Sequence, residues 1–288
     1  MIIIKLQGGL GNQLFQYSFG RFLEIKLNKE VAYDVSFFTQ KHKYTKREYV
    51  LDKFNTKIKV ATPEEITKVK YPFGKLSEFA YLFRKALNKF FIKKYHIGYD
   101  EKLVSFLKEK DSVYLEGWWQ SYLFYNQILD YIQDEITLKV PSAELLTLQS
   151  EVTTKESVFV HIRRGDYVDG KELETLSMEY YKKAILLIQE KVPNPYFYIF
   201  SDDKEWIKAH GADILGTSSC ETPILPYDFE EMVLMSHCKH GIIANSSFSY
   251  WGAMLNKSND KVIIAPQDWK NVFMKDNNTL CPPDWIAL

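Results

Sequence analysis

Two adjacent arginines follow an apolar stretch in the second half of the chain, within the sequence HIRRGD at 161–166. The apolar residues before them predict a buried strand, so the arginines come at its carboxyl end. Guanidinium groups bind phosphate oxygens through paired hydrogen bonds. Arg163 and Arg164 therefore predict a phosphate-binding loop, with His161 and Asp166 beside them. The alternative is a surface network of arginine and aspartate, which would contribute little to stability.

Such a loop could also do chemistry if the phosphate were a leaving group. When the bond between a sugar and a nucleotide diphosphate breaks, negative charge grows on the β-phosphate. A fixed arginine at that position stabilises the transition state more than the ground state, which is what catalysis requires. For a sugar transfer, the loop therefore predicts a catalytic arginine, and the candidate catalytic residues of the loop are Arg163, His161 and Asp166. Asp166 could orient the arginines.

Two acidic residues, Asp202 and Asp203, follow the next predicted strand at 196–200. Their carboxylates could accept hydrogen bonds from the N1–H and amino groups of guanine, hold a divalent metal, or cap the following helix. The metal interpretation is the weaker one, because the acidic metal motif of many sugar transferases separates its two aspartates by one residue. Guanine binding and helix capping both stay open.

A polar stretch also follows the strand predicted at 241–244 and begins a helix. It consists of Asn245, Ser246, Ser247 and Phe248. Hydroxyl groups and unpaired amides at a helix N-terminus can form a cradle for an anion. A capped helix whose aromatic residues lie in the core is the plainer interpretation, and the two are compatible.

A glycine-rich loop, GGLGNQ at 8–13, follows the first predicted strand. Glycine lets the backbone approach a ligand closely, and amide side chains can bond a hydroxyl-rich ligand or a diphosphate. Asn12 and Gln13 supply such amide side chains, and the plainer interpretation is a tight turn from strand to helix. A dinucleotide site is a rival interpretation, because Asp34 ends the second strand where a ribose-binding acid would lie. Leu14, however, stands where that fingerprint has its third glycine.

These motifs lie in two β-α-β patterns, one in each half of the chain. The first is opened by an Ile-rich strand, a helical pattern and a second strand at 1–6, 13–27 and 31–35. The second has strands predicted at 158–162, 196–200, 241–244 and 262–265. The polar residues 141–157 are interpreted as a linker, which predicts domains over 1–150 and 151–288. Ligands of open α/β sheets bind at the carboxyl ends of the strands, so we expect a cleft between the two halves.

Residues 79–94 form a basic amphipathic pattern. Apolar side chains recur at spacings of three and four, and no acidic residue lies between Glu78 and Asp100. A helix of this kind could lie on an anionic membrane surface. It could also pack its apolar face on the sheet and leave its basic face in water. Peripheral membrane contact through 79–94 is therefore one of two interpretations.

Composition limits the class of partner. The 288 residues include 37 Lys and Arg and 37 Asp and Glu, so no global charge draws the chain to nucleic acid. The three cysteines, Cys220, Cys238 and Cys281, suggest neither a disulfide framework nor a metal site. No apolar run approaches the ~20 residues of a membrane span. We expect a cytoplasmic protein, attached at most to the inner face of a membrane.

Four of the motifs together resemble those of the α-1,2-fucosyltransferases of glycosyltransferase family 11. They are GGLGNQ at 8–13, HIRRGD at 161–166, FSDD at 200–203 and KHGIIANSSFSYW at 239–251, in the order found in the family. The H-x-R-R-x-D loop is also similar to that of α-1,6-fucosyltransferases. Tyr250 departs from the pattern, since many members have tryptophan there.

The resemblance implies a GT-B fold of two Rossmann-like halves with a cleft between them. It implies inverting transfer of L-fucose from GDP-fucose to the 2-hydroxyl of a terminal β-galactoside, without a metal or other cofactor. Bacterial members typically modify precursors of lipopolysaccharide O-antigen or capsule, so a galactose-terminated glycan is the expected acceptor.

The resemblance also assigns roles to residues. Arg163 would bind the β-phosphate with Arg164 and His161 beside it, and Asp203 or Asp202 would read guanine. The residues implied to line the diphosphate and base pocket are Ser246, Ser247 and Phe248. Those implied to face the cleft from the N-terminal half are Gly9, Gly11, Asn12 and Gln13.

Two other functions stay open from the sequence. An NAD-dependent oxidoreductase would rest on Gly9, Gly11 and Asp34, and it leaves the arginine pair unexplained. A non-catalytic module for GDP-sugars or glycans would bind its ligand without turnover.

Overall fold

The computed structural model describes most of the chain. The described residues are 1–40, 47–72, 74–76, 78–79, 82–83, 101–164, 175–216, 219–267 and 279–288. Asp166 and most of the 79–94 segment lie outside them. The chain forms two compact units. The N-terminal unit is Met1–Thr137 with Asn278–Leu280, and the C-terminal unit is Leu138–Asn277 with Cys281–Leu288.

The N-terminal unit is built on a parallel sheet in which β1 is the central strand. The strands are β1 (Ile2–Lys5), β2 (Val31–Asp34) and β3 (Val113–Leu115), in the order β2-β1-β3. The helices are α1 (Leu10–Leu27), α2 (Pro63–Lys70), α3 (Glu101–Glu109), α4 (Tyr122–Tyr125) and α5 (Leu129–Glu135). Short 3₁₀ turns lie at Ser36–Thr39, Leu51–Lys53 and Asn126–Ile128. The β-α-β opening predicted from the apolar pattern is confirmed.

A polar cluster is buried inside this unit. Arg21 of α1 donates two hydrogen bonds to the carboxylate of Glu135, at 2.8 Å from Nε and 2.7 Å from Nη2. The Tyr17 hydroxyl also donates to the Glu135 carboxylate, and Glu135 is only 5% exposed. The Tyr17 oxygen accepts from the backbone N–H of Lys57 at 3.0 Å. Helix α1 is thereby tied to the end of α5 and to the segment around residue 57.

Among its described residues, the C-terminal unit contains six parallel strands in one sheet. They are β4 (Ser157–Ile162), β5 (Tyr196–Ser201), β6 (Cys220–Glu221), β7 (His240–Ile242), β8 (Ile263–Ala265) and β9 (Ile286–Ala287). The helices are α6 (Ala143–Thr154), α7 (Met178–Lys191), α8 (Lys204–Leu215), α9 (Asp228–His237) and α10 (Ser247–Met254). The strand order is β6-β5-β4-β7-β8-β9. The order reverses at β4, because β5 lies on one side of it and β7 on the other.

The prediction of a linker at 141–157 is wrong. Most of that segment is helix α6, and the two units divide at Thr137 and Leu138 rather than at 150–151. Ser142 caps the helix by accepting from Leu145 N at 3.1 Å, and its own hydroxyl donates to the buried Glu230 carboxylate at 2.7 Å. The helix buries little beyond Leu145 and Val152, so its sequence is polar enough to resemble a linker.

No helix among the described residues is both long and apolar enough to cross a membrane.

Gly241 gives a test of the core of the C-terminal sheet. A Cβ atom added there would lie 2.1 Å from Cε1 of Phe159 on the adjacent strand β4. We expect Gly241→Ala to destabilise the protein by about 1–3 kcal/mol, because the buried ring has to move. Urea unfolding measures the change. Gly211→Ala is the control, since the nearest atom there is 3.5 Å away and alanine favours its helix. Equal stabilities for the two variants would contradict this packing.

Candidate active site

Three neighbouring strands of the C-terminal sheet end at one edge and are followed there by polar residues. Strand β4 is buried throughout and leads into Arg163 and Arg164. In the parallel register Ile162 lies beside Ser201 on β5, so Asp202 and Asp203 leave the sheet next to the arginines. Strand β7, on the other side of β4, leads towards Asn245 and Ser246. Because the strand order reverses at β4, this edge is where an open α/β sheet binds its ligand.

Asp202 binds both arginines. Its Oδ2 lies 3.0 Å from Nη1 of Arg163, and its Oδ1 accepts from the backbone N–H of Arg164 at 2.9 Å. The Arg163 and Asp202 side chains are 21% and 24% exposed, so the pair lies at the surface of the edge and can meet a ligand. The carboxylate fixes the direction of the Arg163 guanidinium before any ligand arrives, which lowers the ordering cost of binding.

The Arg164 side chain is held on two sides. Its Nε lies 3.4 Å from Oδ2 of Asp203, and its guanidinium carbon lies 4.0 Å from the centre of the Trp206 ring. Asp203 in turn accepts from Trp206 N at 3.0 Å, so it caps helix α8, as one of the sequence interpretations predicted. The Asp203 backbone N–H donates to the Ser201 hydroxyl at 3.1 Å.

Trp206 and Ser201 were not predicted as parts of this site. Trp206 comes three residues after Asp203, and a capping residue typically accepts from the backbone N–H three positions later. This spacing is the sequence feature that could have placed Trp206 beside Asp203. The carboxylates of Asp202 and Asp203 contact the arginines in the structure, and their role in reading guanine stays a prediction. Asp166, predicted to orient the arginines, lies outside the described residues.

His161 is buried beside the arginine pair. Its residue is 3% exposed, and its Nδ1 has no hydrogen-bond partner among the described residues. Burial, together with the nearby positive charge of Arg163, lowers the pKa of His161 from 6.5 to about 3. The ring lies 5.7 Å from the ring of Phe248, centre to centre. His161 is therefore a neutral imidazole near pH 7, and it adds no positive charge to the loop.

The buried His161 makes stability depend on pH. The unfolded chain takes up a proton at this residue below about 6.5, whereas the folded chain does so only near its pKa of about 3. The free energy of unfolding should therefore rise as the pH increases from about 3 to about 6.5, by up to about 1.4 kcal/mol per pH unit, and fall as the pH is lowered through the same window. His161→Gln should flatten that slope in urea unfolding between pH 4.5 and 6.5. The control is His237→Gln, at an exposed position, which should keep the slope. If the wild-type protein and His161→Gln showed equal slopes of stability against pH, the pH dependence would not come from His161.

Ser246 caps helix α10 at the same edge. Its hydroxyl accepts from Phe248 N at 3.3 Å, while Ser247 and Phe248 remain partly exposed. Asn245 and Ser246 are 4% and 6% exposed. Tyr250 and Trp251 lie fully in the core, as the capped-helix interpretation predicted, whereas Phe248, which it also placed there, is partly exposed. The first turn of α10 thus presents a partly exposed helix N-terminus close to the carboxyl end of β4.

The glycine-rich loop of the N-terminal unit forms the turn between β1 and α1. Gly8 has a φ of 81°, and Gly9 is the N-cap residue of the helix without a side-chain cap. Asn12 accepts from Gln120 Nε2 at 2.9 Å and is partly exposed. Gly11 is buried in the first turn of α1.

The expectation that the Gln13 side chain faces a ligand is wrong. Gln13 is fully buried, and its Nε2 donates to the carbonyl oxygens of Gly8 at 3.1 Å and Glu48 at 2.8 Å. Its Oε1 accepts from Val50 N at 3.1 Å. Both amide hydrogens are used within the chain, so Gln13 holds the segment around residues 48–50 against the loop.

Asp34 does not fit the ribose-binding role that the dinucleotide interpretation gave it. It is 2% exposed, and its Oδ1 accepts from Ser36 N at 2.8 Å. Its Oδ2 accepts from the Tyr114 hydroxyl at 2.6 Å. The carboxylate therefore fixes β2 and β3 together at the end of the sheet.

The fold is that of sugar-transferring enzymes with two α/β units. The chain superimposes on a point mutant of FUT1 of Arabidopsis thaliana in complex with GDP, with a TM-score of 0.51 and 10% identity over 93% of this chain and 72% of that one. It superimposes on the fucosyltransferase NodZ of Bradyrhizobium with a TM-score of 0.50 and 10% identity over 90% and 96%. The predicted GT-B type α/β fold is confirmed.

The chain belongs to glycosyl transferase family 11, whose model matches residues 1–288. An alpha-1,2-colitosyltransferase of Escherichia coli is 30% identical over all of this chain and 99% of its own length. The O-antigen biosynthesis glycosyltransferase WbnK of Escherichia coli is 30% identical over 98% of this chain and 99% of its own length. The predicted family is thus confirmed, and the arginine-bearing edge is the candidate active site of a glycosyltransferase.

Proposed function

We propose that this glycosyltransferase moves L-fucose from GDP-fucose to the 2-hydroxyl of a terminal β-galactoside, with inversion and without a metal. The observation that carries the proposal is the arginine pair, which Asp202 and Asp203 hold at the switch point of the C-terminal sheet. Family membership supports sugar transfer, and the resemblance of the sequence motifs to those of the α-1,2-fucosyltransferases of that family supports a fucosyl donor. A precursor of O-antigen or a capsule is the proposed acceptor, as the name of WbnK suggests.

Arg163 has the central role in the proposed mechanism. The bond between C1 of fucose and the β-phosphate oxygen breaks, and its electron pair goes to that oxygen. The Arg163 guanidinium meets the charge as it develops, where a preorganised donor stabilises the transition state most. The acceptor hydroxyl forms a new bond to C1 from the opposite face, and its proton passes to water as that bond forms, since a late transfer needs only a weak base. GDP and an α-fucoside are the products.

The donor-binding part of the proposal uses three groups of the same edge. Arg164, stacked on Trp206, would hold the second phosphate. The partly exposed first turn of α10, at Ser247 and Phe248, would add backbone amides to the phosphate site. The neutral His161 would present an imidazole nitrogen without adding charge, and the 2-amino and N1–H groups of guanine would meet Asp203 or Asp202.

The first experiment measures GDP release from GDP-fucose with lactose or another β-galactoside, with and without EDTA. We expect release that depends on the acceptor and is unchanged by EDTA. Binding of GDP-fucose without release of GDP would instead indicate a binding module or another class of acceptor. Release that is abolished by EDTA and restored by a divalent metal would overturn the metal-independent mechanism.

Colitose is a specific alternative to fucose as the transferred sugar, because a relative that matches this chain along its full length is an alpha-1,2-colitosyltransferase. GDP-linked colitose in the same assay, with equal donor concentrations, separates the two. A higher kcat/KM with GDP-fucose supports the proposal. A higher value with the colitose donor would keep the reaction class and replace fucose as the transferred sugar.

A further inference from the structure

A row of large apolar side chains on residues 75–83 faces solvent. Every described position of this segment is helical. The exposed side chains are Leu76 at 76%, Phe79 at 72%, Leu82 at 55% and Phe83 at 58%. The rings of Phe79 and Phe83 stack on each other, with centres 6.5 Å apart and planes 11° from parallel. At these four residues the structure contradicts the interpretation that the apolar side of the segment packs on the sheet.

The spacing places these side chains together. Leu76, Phe79 and Phe83 are separated by three and four residues, so they lie on one face of a helix. Single exposed apolar side chains are common on folded proteins, but a contiguous group of large ones marks an interaction surface. We call the four residues Leu76, Phe79, Leu82 and Phe83 the apolar face.

The charge of the surrounding sequence indicates what covers the apolar face. Glu78 is the one acidic residue of the stretch 75–99. The basic residues of the same stretch are Lys75, Arg84, Lys85, Lys89, Lys93 and Lys94. The whole chain has equal numbers of basic and acidic residues, so this excess is local. Apolar side chains next to lysine and arginine, with phenylalanine among them, are the composition of a helix that lies in the plane of an anionic lipid surface.

We propose that the apolar face docks on a membrane surface that contains anionic lipid. The aromatic rings would enter the boundary between headgroups and acyl chains, and the local excess of positive charge in the sequence would add attraction to lipid phosphates. This goes beyond the proposed reaction and does not depend on it, since it concerns residues of the N-terminal unit only.

Vesicle flotation tests the proposal with the full chain. The probes are vesicles of pure phosphatidylcholine and vesicles with one third phosphatidylglycerol. We expect binding to the anionic vesicles, weaker binding to the neutral ones, and loss of binding at high salt. The double variant Phe79→Ser/Phe83→Ser should lower the partition constant at least ~10-fold. The matched control is Tyr131→Ser/Leu186→Ser, which removes side chains of 55% and 60% exposure from other helices.

The outcomes are distinct. The proposal is supported if vesicle binding is lost in Phe79→Ser/Phe83→Ser, the face variant, and kept in Tyr131→Ser/Leu186→Ser, the control variant. Both variants must unfold at the same urea concentration as the wild-type protein. Absence of binding by the unchanged protein overturns it. Equal binding by the face variant also overturns it, because lipid contact would then lie elsewhere. Self-association that depends on Phe79 and Phe83, without vesicle binding, would replace the membrane with a second copy of the chain.

Discussion

Arg163→Ala should lower kcat/KM for the donor at least ~100-fold while leaving the fold intact. The loss follows from the position of Arg163 at the end of buried β4, where Asp202 holds its Nη1 at 3.0 Å. A guanidinium fixed in this way needs no reorganisation when charge develops on the leaving diphosphate. The measurement is the initial rate of GDP release over a range of donor concentrations, together with GDP affinity by calorimetry.

Two further variants sharpen this prediction. Arg163→Lys keeps the charge but loses the planar fork, so we expect a smaller, though still large, loss of kcat. Lys183→Ala removes an exposed cation of the same unit, paired at 3.6 Å with Glu179, and should leave the kinetics unchanged. A rate for Arg163→Ala within a few-fold of the unchanged protein would end the catalytic assignment. A loss of GDP affinity with unchanged kcat would make Arg163 a binding residue only.

Glu135→Ala should destabilise the N-terminal unit by about 3–5 kcal/mol. The carboxylate accepts from Arg21 Nε, Arg21 Nη2 and the Tyr17 hydroxyl. In the variant these three donors lose their acceptor in a site that is nearly closed to water, and Arg21 keeps only its pair with Glu24 through Nη1. Burial and the bond to Glu135 also raise the pKa of the Tyr17 hydroxyl well above its ordinary value, so it stays a donor that needs an acceptor. Urea unfolding followed by tryptophan fluorescence measures the loss.

A double-mutant cycle separates the missing contact from the buried charge. Arg21→Met/Glu135→Met removes both partners and should be less destabilising than Glu135→Ala, because the charged group that then loses its partner is Glu24, which is more exposed than the Arg21 guanidinium. As a control, Glu30→Ala breaks an exposed pair with Lys59 and should cost little. If Arg21→Met/Glu135→Met proved as unstable as Glu135→Ala, the loss of stability would come from disturbed packing rather than from a buried charge.

The arginine loop could be predicted because its signal is local. Apolar residues 158–162 followed by Arg163 and Arg164 need no knowledge of distant segments. The partner of Arg163 is 39 positions away at Asp202, and only the parallel register of β4 and β5 brings them together. The sequence suggested Asp166 as the group orienting the arginines, because nearness along the chain was the available guide.

Other predictions failed where a polar residue turned out to serve the fold. Gln13 has the side chain of a ligand-binding residue, but its environment is decided by Glu48 and Val50, which no local pattern places beside it. Residues 143–154 are polar like a linker, yet Ser142 and the buried Glu230 start a helix there. In both cases a contact across many residues determined the structure.

Asp202 and Asp203 have a consequence for what happens between turnovers. Together with Arg163 and Arg164 they form a group of two positive and two negative side chains, so these four described side chains carry no net charge to attract free inorganic anions. A single phosphate therefore gains little from meeting one arginine, whereas a diphosphate would engage both at once. Asp202 keeps Arg163 in place while the ligand is bound. Because the carboxylates still neutralise the arginines when the spent nucleotide leaves, product release does not expose a bare cationic site.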